Sequence, residues 1–301
     1  MKLIILFNAI SAASFPISKY LIGVMPPFLL TAVRQLLSGI ALLVYQYFMK
    51  PHTLYIKRKD WGSLVAIGLW LMCLSLVPIY YSLDYITTAR SSFIFNLTPF
   101  ITAFLSYLYF KETLTIKKTL GLFIAIVGFL PLLLTESPGE SSKNGMLWIF
   151  SYGELFAIGG VFAWAYGWVL VRKLVSCKRY SPIAIMGYTM VIGSFFSFIG
   201  AGIFESYRVS YTHGYVALIL FILFMGGNAI GYSLYSYLLQ QYTATFLSFA
   251  AFMMPMFAAL FGWICLHEPI TIYLVVSTIL VFVGLYLFYQ EELRQGYVVR
   301  D

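Results

Sequence analysis

Apolar runs of about 20 residues recur from one end of this 301-residue sequence to the other, and each is long enough to cross a bilayer as a helix. Within lipid, only α-helices and closed barrels satisfy every backbone hydrogen-bonding group. Barrel strands alternate apolar and polar residues over about ten positions, and these runs do not alternate. Charged residues make up only 10% of the chain, whereas a soluble domain carries about a quarter. The sequence therefore predicts an all-α polytopic membrane protein.

The apolar runs predict ten transmembrane helices. Turn or charge signals separate them, such as Pro26-Pro27 after the first run and Lys50-Pro51 after the second. The longest polar stretch begins at Glu136 and divides the runs into two sets of five. We therefore predict a first five-helix unit at 1–135, a linker at 136–152, and a second five-helix unit with a short tail at 153–301. The predicted spans are 3–22, 28–49, 61–83, 87–109, 117–135, 153–172, 182–204, 214–239, 243–265 and 270–290.

Basic residues are distributed unequally between the two sets of inter-helix loops. With a cytoplasmic N-terminus, 14 lysines and arginines lie on that side, and only Arg90, Lys143 and Arg208 lie on the other. Cytoplasmic loops of membrane proteins carry an excess of lysine and arginine. The count predicts that both termini are cytoplasmic, in a bacterial-type inner (plasma) membrane. Because topology accounts for the net charge of +8, we expect no nucleic-acid partner.

One segment of the chain occurs twice. Thr87–Gly128 recurs as Thr243–Gly284 at a constant offset of 156 residues, and Pro99 and Pro255 are among the identical positions. The copies are five spans apart, an odd number, so the second is inserted upside down relative to the first. Two inverted five-helix repeats are the construction of many secondary transporters, with a central site and alternating access. The alternative class is a duplicated membrane scaffold that transports nothing, or a lipid translocator.

Short motifs occupy fixed places within these spans. They are the stretch Ser14–Tyr20 in the first span, Pro27 and Arg34 in the second, Pro99 with Glu112 and Thr115 in and after the fourth, Glu154 with Trp164 and Arg172 in the sixth, and Pro255 with Glu268 and Thr271 in and after the ninth. Together they resemble the EamA-type branch of the drug/metabolite transporter superfamily, over nearly the whole chain. The resemblance implies a ten-helix fold with a central cavity, and export or exchange of small metabolites.

The resemblance leaves the transported metabolite open, because the superfamily carries amino acids, sugar-phosphate-like and nucleoside-like cargo on one scaffold. The sixth span reads Ala163-Trp164-Ala165-Tyr166-Gly167-Trp168 and is more aromatic than the general pattern. This favours an aromatic-lined cavity and an amino-acid-like substrate as the leading interpretation. The alternative within transport is uptake or exchange of a nucleoside- or nucleotide-like metabolite such as S-adenosylmethionine.

The sequence does not indicate an enzyme. The three histidines, His52, His213 and His267, lie at span ends, and we find no paired carboxylates, metal-ligand spacing or nucleophile elbow. We therefore expect no cofactor and no metal site. Acidic residues also lie near span ends, which favours facilitated diffusion or exchange over proton coupling.

Lys19 and Arg34 are the basic side chains predicted to lie within spans. A lysine or arginine at mid-helix costs at least ~2.5 kcal/mol in lipid and usually faces a water-filled cavity. Either residue can hold a carboxylate or phosphate, and Arg34 can do so in a bidentate manner. The structural alternatives are snorkelling of Lys19 to the interface and bonding of Arg34 to backbone carbonyls.

Aromatic and amide side chains complete the predicted site. Tyrosine and tryptophan offer hydrogen-bond donors and faces for cations, while amides bond cargo or join helices. Ordinary helix packing is the alternative for each of them. The predicted substrate-binding residues are Lys19, Arg34, Tyr80, Tyr81, Asn96, Trp164, Asn228, Tyr232 and Tyr235.

Three prolines are predicted hinges. Pro16, Pro99 and Pro255 each break the helical hydrogen-bond ladder, and the last two are related by the repeat. Glu112 and Glu268 follow those two prolines and are predicted to cap the next helix rather than to contact cargo.

Overall fold

The computed structural model of the protein describes residues 2–110, 115–133, 151–175, 180–205, 214–240 and 272–294, together with 247, 257, 260, 261 and 263–265. The described residues are helical and contain no β-strand, which confirms the all-α prediction for this part of the chain. Glu112, Pro255, Glu268 and the predicted linker up to residue 150 lie outside the described residues. The helices are α1 Lys2–Ile22, α2 Pro27–Met49, α3 Trp61–Ile67, α4 Leu76–Ser82, α5 Thr88–Ile94, α6 Thr98–Phe110, α7 Ile116–Leu133, α8 Tyr152–Val175, α9 Pro182–Phe204, α10 Gly214–Leu238 and α11 Ile272–Arg294.

Four helical segments in the described part of the chain are long and apolar enough to cross a bilayer. They are Pro27–Met49, Arg58–Ser82, Tyr152–Val175 and Pro182–Phe204. Their lengths and compositions agree with a membrane protein.

Two of these long helices begin with proline. Pro27 and Pro182 are the first residues of α2 and α9, where a missing N–H is not needed and the fixed φ suits a helix. The carboxylate of Glu205, directly after α9, accepts hydrogen bonds from the backbone N–H groups of Phe28 (2.7 Å) and Leu29 (3.0 Å). An anion at this position satisfies free donors in the first turn of α2 and is favoured by the helix dipole. The end of α9 is thereby tied to the start of α2.

The third and fourth predicted spans are both interrupted. Within Arg58–Ser82, a π-helical segment at Gly68–Leu74 separates α3 from α4. A 3₁₀ turn at Phe95–Leu97 separates α5 from α6, directly before Pro99. Irregular backbone inside a span is tolerated where it is buried in protein or lines a cavity. Both interruptions lie against α8.

Helices from the first half of the chain pack mainly on helices from the second half. α2 packs along α9, α7 along α11, α4 along α8, and α1 along α10. Glycines allow these close approaches: a Cβ at Gly39 would lie 2.9 Å from the carbonyl oxygen of Gly187, and one at Gly167 would lie 2.6 Å from Cβ of Leu71. Small residues let backbones meet in lipid, where packing rather than the hydrophobic effect drives helix association.

Candidate substrate-binding cavity

A cavity of about 350 Å³ lies among α1, α2, α4, α8 and α10, so both halves of the chain line it. It contacts α1 between residues 7 and 18, α4 between residues 76 and 80, and the middle of α8 and α10. Phe95, in the 3₁₀ turn before α6, also lines it. Its volume lies in the range of small-molecule sites, about 300–1,000 Å³. The position between packed helices makes it the candidate site for a transported molecule.

Arg34 is the charged side chain of this cavity. It lies two turns into α2 and is only 3% exposed. Its Cζ atom lies 4.3 Å from the ring centroid of Phe224 and 5.4 Å from that of Tyr80, so two aromatic rings stabilise the cation. Its Nε and Nη2 atoms have no hydrogen-bond partner among the described residues. A buried guanidinium with free donors can bind a carboxylate with two parallel hydrogen bonds.

An aromatic wall, made by Phe95, Trp164, Trp168 and Tyr232, lines the same cavity. Trp164 packs edge-on against Phe95 (5.1 Å between centroids), Trp168 (5.7 Å) and Tyr232 (5.5 Å). The interlocked rings fix one another's orientation and present aromatic surface to the cavity. Aromatic faces attract cations and stack on planar ligands.

Amides add a polar patch beside Arg34. The Nδ2 of Asn228 donates a hydrogen bond to Oε1 of Gln35 (3.0 Å), and Gln35 in turn donates through Nε2 to the sulfur of Met72 (3.3 Å). This fixes Asn228 and leaves its Oδ1 as an acceptor without a partner in the described part of the chain. The indole N–H of Trp168 likewise lacks a partner there, while the hydroxyl of Tyr232 lies close to the Arg34 guanidinium. A ligand with several polar groups can satisfy all of these atoms.

Five of the nine predicted binding residues line this cavity. They are Arg34, Tyr80, Trp164, Asn228 and Tyr232. The sequence reasoning missed Trp168, Phe224 and Gln35. Two of these could have been selected from the sequence, because Trp168 belongs to the aromatic sixth span and Gln35 adjoins Arg34. Phe224 is one of many phenylalanines, and nothing in the sequence distinguishes it.

The other predicted residues are not among the described lining residues of the cavity. The hydroxyl of Tyr81 donates a hydrogen bond to Oε1 of Glu205 (2.9 Å), away from the cavity, and Tyr235 lies behind the wall with its ring 4.2 Å from that of Trp168. Lys19 is near the end of α1, where Nζ lies 3.5 Å from the carbonyl oxygen of Ile86. Asn96 is in the 3₁₀ turn, and its side chain is outside the described residues.

The ammonium of Lys19 is also close enough to Asp84 to affect its ionisation. Partial burial raises the pKa of the Asp84 carboxyl, and the positive charge of Lys19 opposes that rise. Asp84 follows α4, so this interaction joins the ends of two helices outside the cavity.

The two predicted hinges that the structure describes have different surroundings. Pro16 lies inside α1, which continues to Ile22, and the hydroxyl of Ser18 donates to the carbonyl of Ser14 beside it. Pro99 is in the first turn of α6, after the 3₁₀ break. A hinge role for either proline stays a prediction.

Arg90 does not lie at the exposed end of a span, as the loop count assumed. It is inside α5, only 2% exposed, and forms an ion pair with Glu154, which is fully buried in the first turn of α8. Glu154 also accepts a hydrogen bond from the N–H of Ser151 (2.7 Å). The pair joins α5 to α8.

Comparison with known proteins identifies the family. The sequence matches the EamA-like transporter family over residues 1–134 and 151–290. An S-adenosylmethionine/S-adenosylhomocysteine transporter of Chlamydia muridarum is 32% identical over 305 aligned residues, covering 98% of this chain and 93% of that protein. A protein named as the uncharacterized transporter YyaM of Bacillus subtilis is 27% identical over 281 residues, covering 92% and 89%. A solved crystal structure has the same fold, with a TM-score of 0.70 and 18% identity over 96% of each chain.

These similarities extend over almost the whole chain and agree with the resemblance seen in the sequence motifs. The family and its named members are transporters rather than enzymes. This chain therefore belongs to the EamA-like transporter family of multi-pass membrane proteins.

Proposed function

We propose that this chain transports S-adenosylmethionine and S-adenosylhomocysteine across the membrane, through the cavity that contains Arg34. The observation that carries the proposal is a buried guanidinium, with two nitrogens that have no hydrogen-bond partner among the described residues, in a cavity that is also lined by the aromatic wall. The full-length similarity to transporters of these two compounds supports it. It replaces the amino-acid-like substrate of the leading sequence interpretation with the nucleoside-like alternative.

The chemistry of the two metabolites fits the lining residues. Both end in an amino-acid moiety whose carboxylate can accept two hydrogen bonds from Arg34. Both carry adenine, a planar group that can stack on Trp164 and bond the free Oδ1 of Asn228 through its amino group. A simple amino acid would use Arg34 and leave the aromatic wall and the amide without partners.

The sulfonium of S-adenosylmethionine is a permanent cation, and it suits an aromatic cage. The faces of Trp164, Trp168 and Tyr232 can hold such a cation by cation–π attraction. The described lining residues include no carboxylate. The site is therefore expected to bind the sulfonium of S-adenosylmethionine without requiring a positive charge on the ligand. It should bind the neutral thioether of S-adenosylhomocysteine as well.

Binding of both compounds in one cavity favours exchange. S-adenosylhomocysteine is S-adenosylmethionine without its transferable methyl group, so a cell that imports one and exports the other keeps its adenosine pool unchanged. We propose that each crossing requires an occupied cavity, because an empty one leaves the Arg34 charge buried without a counter-ion. No proton is needed in this cycle.

We further propose the ten-helix inverted-repeat topology, with repeats at 1–135 and 153–301, a linker at 136–152 and both termini cytoplasmic. A two-fold operation that exchanges the halves maps the α2–α9 pair and the α7–α11 pair onto themselves. It also maps the α1–α10 pair onto the pairing of α8 with the third span. All of these pairings occur in the structure, which supports an alternating-access cycle about the cavity.

The test is exchange in proteoliposomes. Purified protein is reconstituted with internal S-adenosylhomocysteine, and uptake of external radiolabelled S-adenosylmethionine is followed. We expect saturable uptake that depends on the internal compound and is inhibited by external S-adenosylhomocysteine but not by leucine or adenosine alone. Protein-free liposomes are the control.

Two outcomes would contradict the proposal. Exchange of labelled amino acids without any uptake of S-adenosylmethionine would restore the amino-acid interpretation. Tight vesicles that exchange neither class would favour the non-transporting scaffold.

A further inference from the structure

A second cavity, of about 630 Å³, lies at the C-terminal end of α2. The last turn of α2, the segment 50–57, the first turn of α9 and Gln240 form its walls. Among the described residues, none lines both this cavity and the one around Arg34. The transport cycle proposed above gives this space no role.

Hydrogen bonds hold the wall made by residues 50–57 in place. The hydroxyl of Thr53 donates to the carbonyl oxygen of Lys50 (2.7 Å) and is also bonded to the side-chain amide of Gln46. The hydroxyl of Tyr188, on α9, donates to the carbonyl oxygen of Leu54 (3.1 Å). The cavity is therefore bounded by a fixed segment rather than by loosely placed side chains.

The polar lining favours an anion. Lys50, His52 and Lys57 line the cavity together with Ser181 at the start of α9, where the helix dipole adds positive potential. No carboxylate is found among the lining residues that the structure describes. Asp60, an acidic residue of the adjoining segment, accepts a hydrogen bond from the hydroxyl of Tyr180 (2.5 Å) and is not one of the lining residues.

An apolar stripe on α2 leads directly to this cavity. Leu37, Ile40, Val44 and Phe48 recur at helical spacing, and their exposed fractions range from 42% to 74%. Tyr45 and Met49, beside the end of the stripe, line the cavity. A ligand with a phosphate in the cavity and hydrocarbon chains along the stripe matches both surfaces at once.

We propose that this cavity binds the headgroup of an anionic phospholipid, with its acyl chains lying along the α2 stripe. Basic pockets between transmembrane helices are suited to acidic lipid headgroups. Free phosphate has the same charged group as the headgroup, but it has no acyl chains to contact the apolar stripe on α2. The bound lipid fastens the α2–α9 pair at one membrane face, independently of which metabolite is transported.

The experiment measures lipid binding to the purified full chain by native mass spectrometry and thermal unfolding. Dioleoyl-phosphatidylglycerol is compared with dioleoyl-phosphatidylethanolamine, which has the same chains and no net charge, and with inorganic phosphate. We expect phosphatidylglycerol alone to be retained and to raise the unfolding temperature by a few degrees. The variant Lys50→Gln/Lys57→Gln should bind it about 30-fold more weakly, since each lysine near an anionic surface contributes about a factor of five.

Two matched variants keep the result interpretable. Lys59→Gln removes an exposed lysine that does not line the cavity, and it should bind lipid as the parent does. Lys50→Arg/Lys57→Arg keeps both charges and should restore binding if the glutamine variant folds poorly. Equal retention of phosphatidylethanolamine, an equal shift with phosphate alone, or undiminished binding in the glutamine variant would each overturn the proposal.

Discussion

Arg34 and Arg90 are buried to almost the same extent, at 3% and 2% exposed, but their surroundings are opposite. Arg90 forms an ion pair with buried Glu154, a carboxylate that is itself hydrogen-bonded at the start of α8. Arg34 lies against two aromatic rings, and two of its nitrogens have no partner among the described residues.

The Arg90 charge is therefore part of the structure of the fold, whereas the Arg34 charge has no carboxylate partner among the described residues and can interact with a ligand. A buried ion is costly, and a protein retains one without a protein counter-ion only where something else compensates it. For Arg34 the rings supply part of that compensation, and the proposed substrate carboxylate supplies the rest. The following predictions test this contrast.

Arg90→Ala is expected to have the largest effect on stability. It leaves the Glu154 carboxylate buried without a counter-charge, which costs about 3–5 kcal/mol. Thermal unfolding of the detergent-solubilised protein should show a large fall in the unfolding temperature. Arg90→Met/Glu154→Gln, which removes both charges, should recover most of the loss. An unchanged unfolding temperature in Arg90→Ala would show that the pair is not structural.

Arg34→Ala is expected to abolish most transport while leaving the fold intact. Loss of charged hydrogen bonds worth about 1.5–3 kcal/mol predicts a roughly 10- to 100-fold fall in S-adenosylmethionine uptake. The unfolding temperature should stay the same or rise, because an uncompensated buried charge has been removed. Arg34→Lys should restore only part of the uptake, since an ammonium cannot form the bidentate contact. Full uptake by Arg34→Ala would remove this residue from the site.

Phe224→Leu probes the aromatic compensation of Arg34. Loss of the ring 4.3 Å from the guanidinium removes a cation–π contact worth about 0.5–2 kcal/mol, so uptake should fall by a smaller factor than in Arg34→Ala. Phe195→Leu, which changes an exposed ring on α9, is the matched control. Equal losses in both variants would point to general packing rather than to Arg34.

Tyr232→Phe is expected to have the smallest effect. Its hydroxyl lies close to Arg34 but makes no hydrogen bond of normal geometry with a described residue, so removing it should leave the unfolding temperature nearly unchanged. If the substrate supplies the missing partner, its affinity, read as the half-saturating concentration for uptake, should weaken about fivefold, for a hydrogen bond of about 1 kcal/mol. A stability loss without a change in affinity would assign the hydroxyl a structural partner instead.

The class of fold could be predicted from the sequence, because the hydropathy of each helix depends only on the residues of that helix. Arg34 and Trp164 could be selected because a charge or a large polar aromatic at mid-span has few structural explanations in lipid. Arg90 could not be placed, because its burial depends on Glu154, which is 64 positions away in the chain and on another helix.

The direction in which a residue faces was harder to predict than its depth. Tyr80 and Tyr81 are adjacent in the chain, and both were predicted to contact substrate. Only Tyr80 lines the cavity, while Tyr81 is bonded to Glu205. Likewise Tyr232 lines the cavity and Tyr235, one turn later, packs behind Trp168. The direction in which a side chain faces depends on how the neighbouring helices are arranged, and a single sequence does not show that arrangement.

The π-helical segment at Gly68–Leu74 also affects the direction in which Tyr80 and Tyr81 face, because it directly precedes the helix that contains them. A π turn accommodates one residue more than an α turn, so it acts as a one-residue insertion that leaves the backbone ladder continuous. Closing it into regular α-helix would rotate everything after it by about 100°, the angle between successive residues. Such a rotation would bring a neighbouring position round to the place that Tyr80 now occupies beside Arg34. The third span thus contains the equivalent of a one-residue insertion, and the choice of side chain presented to the cavity depends on it.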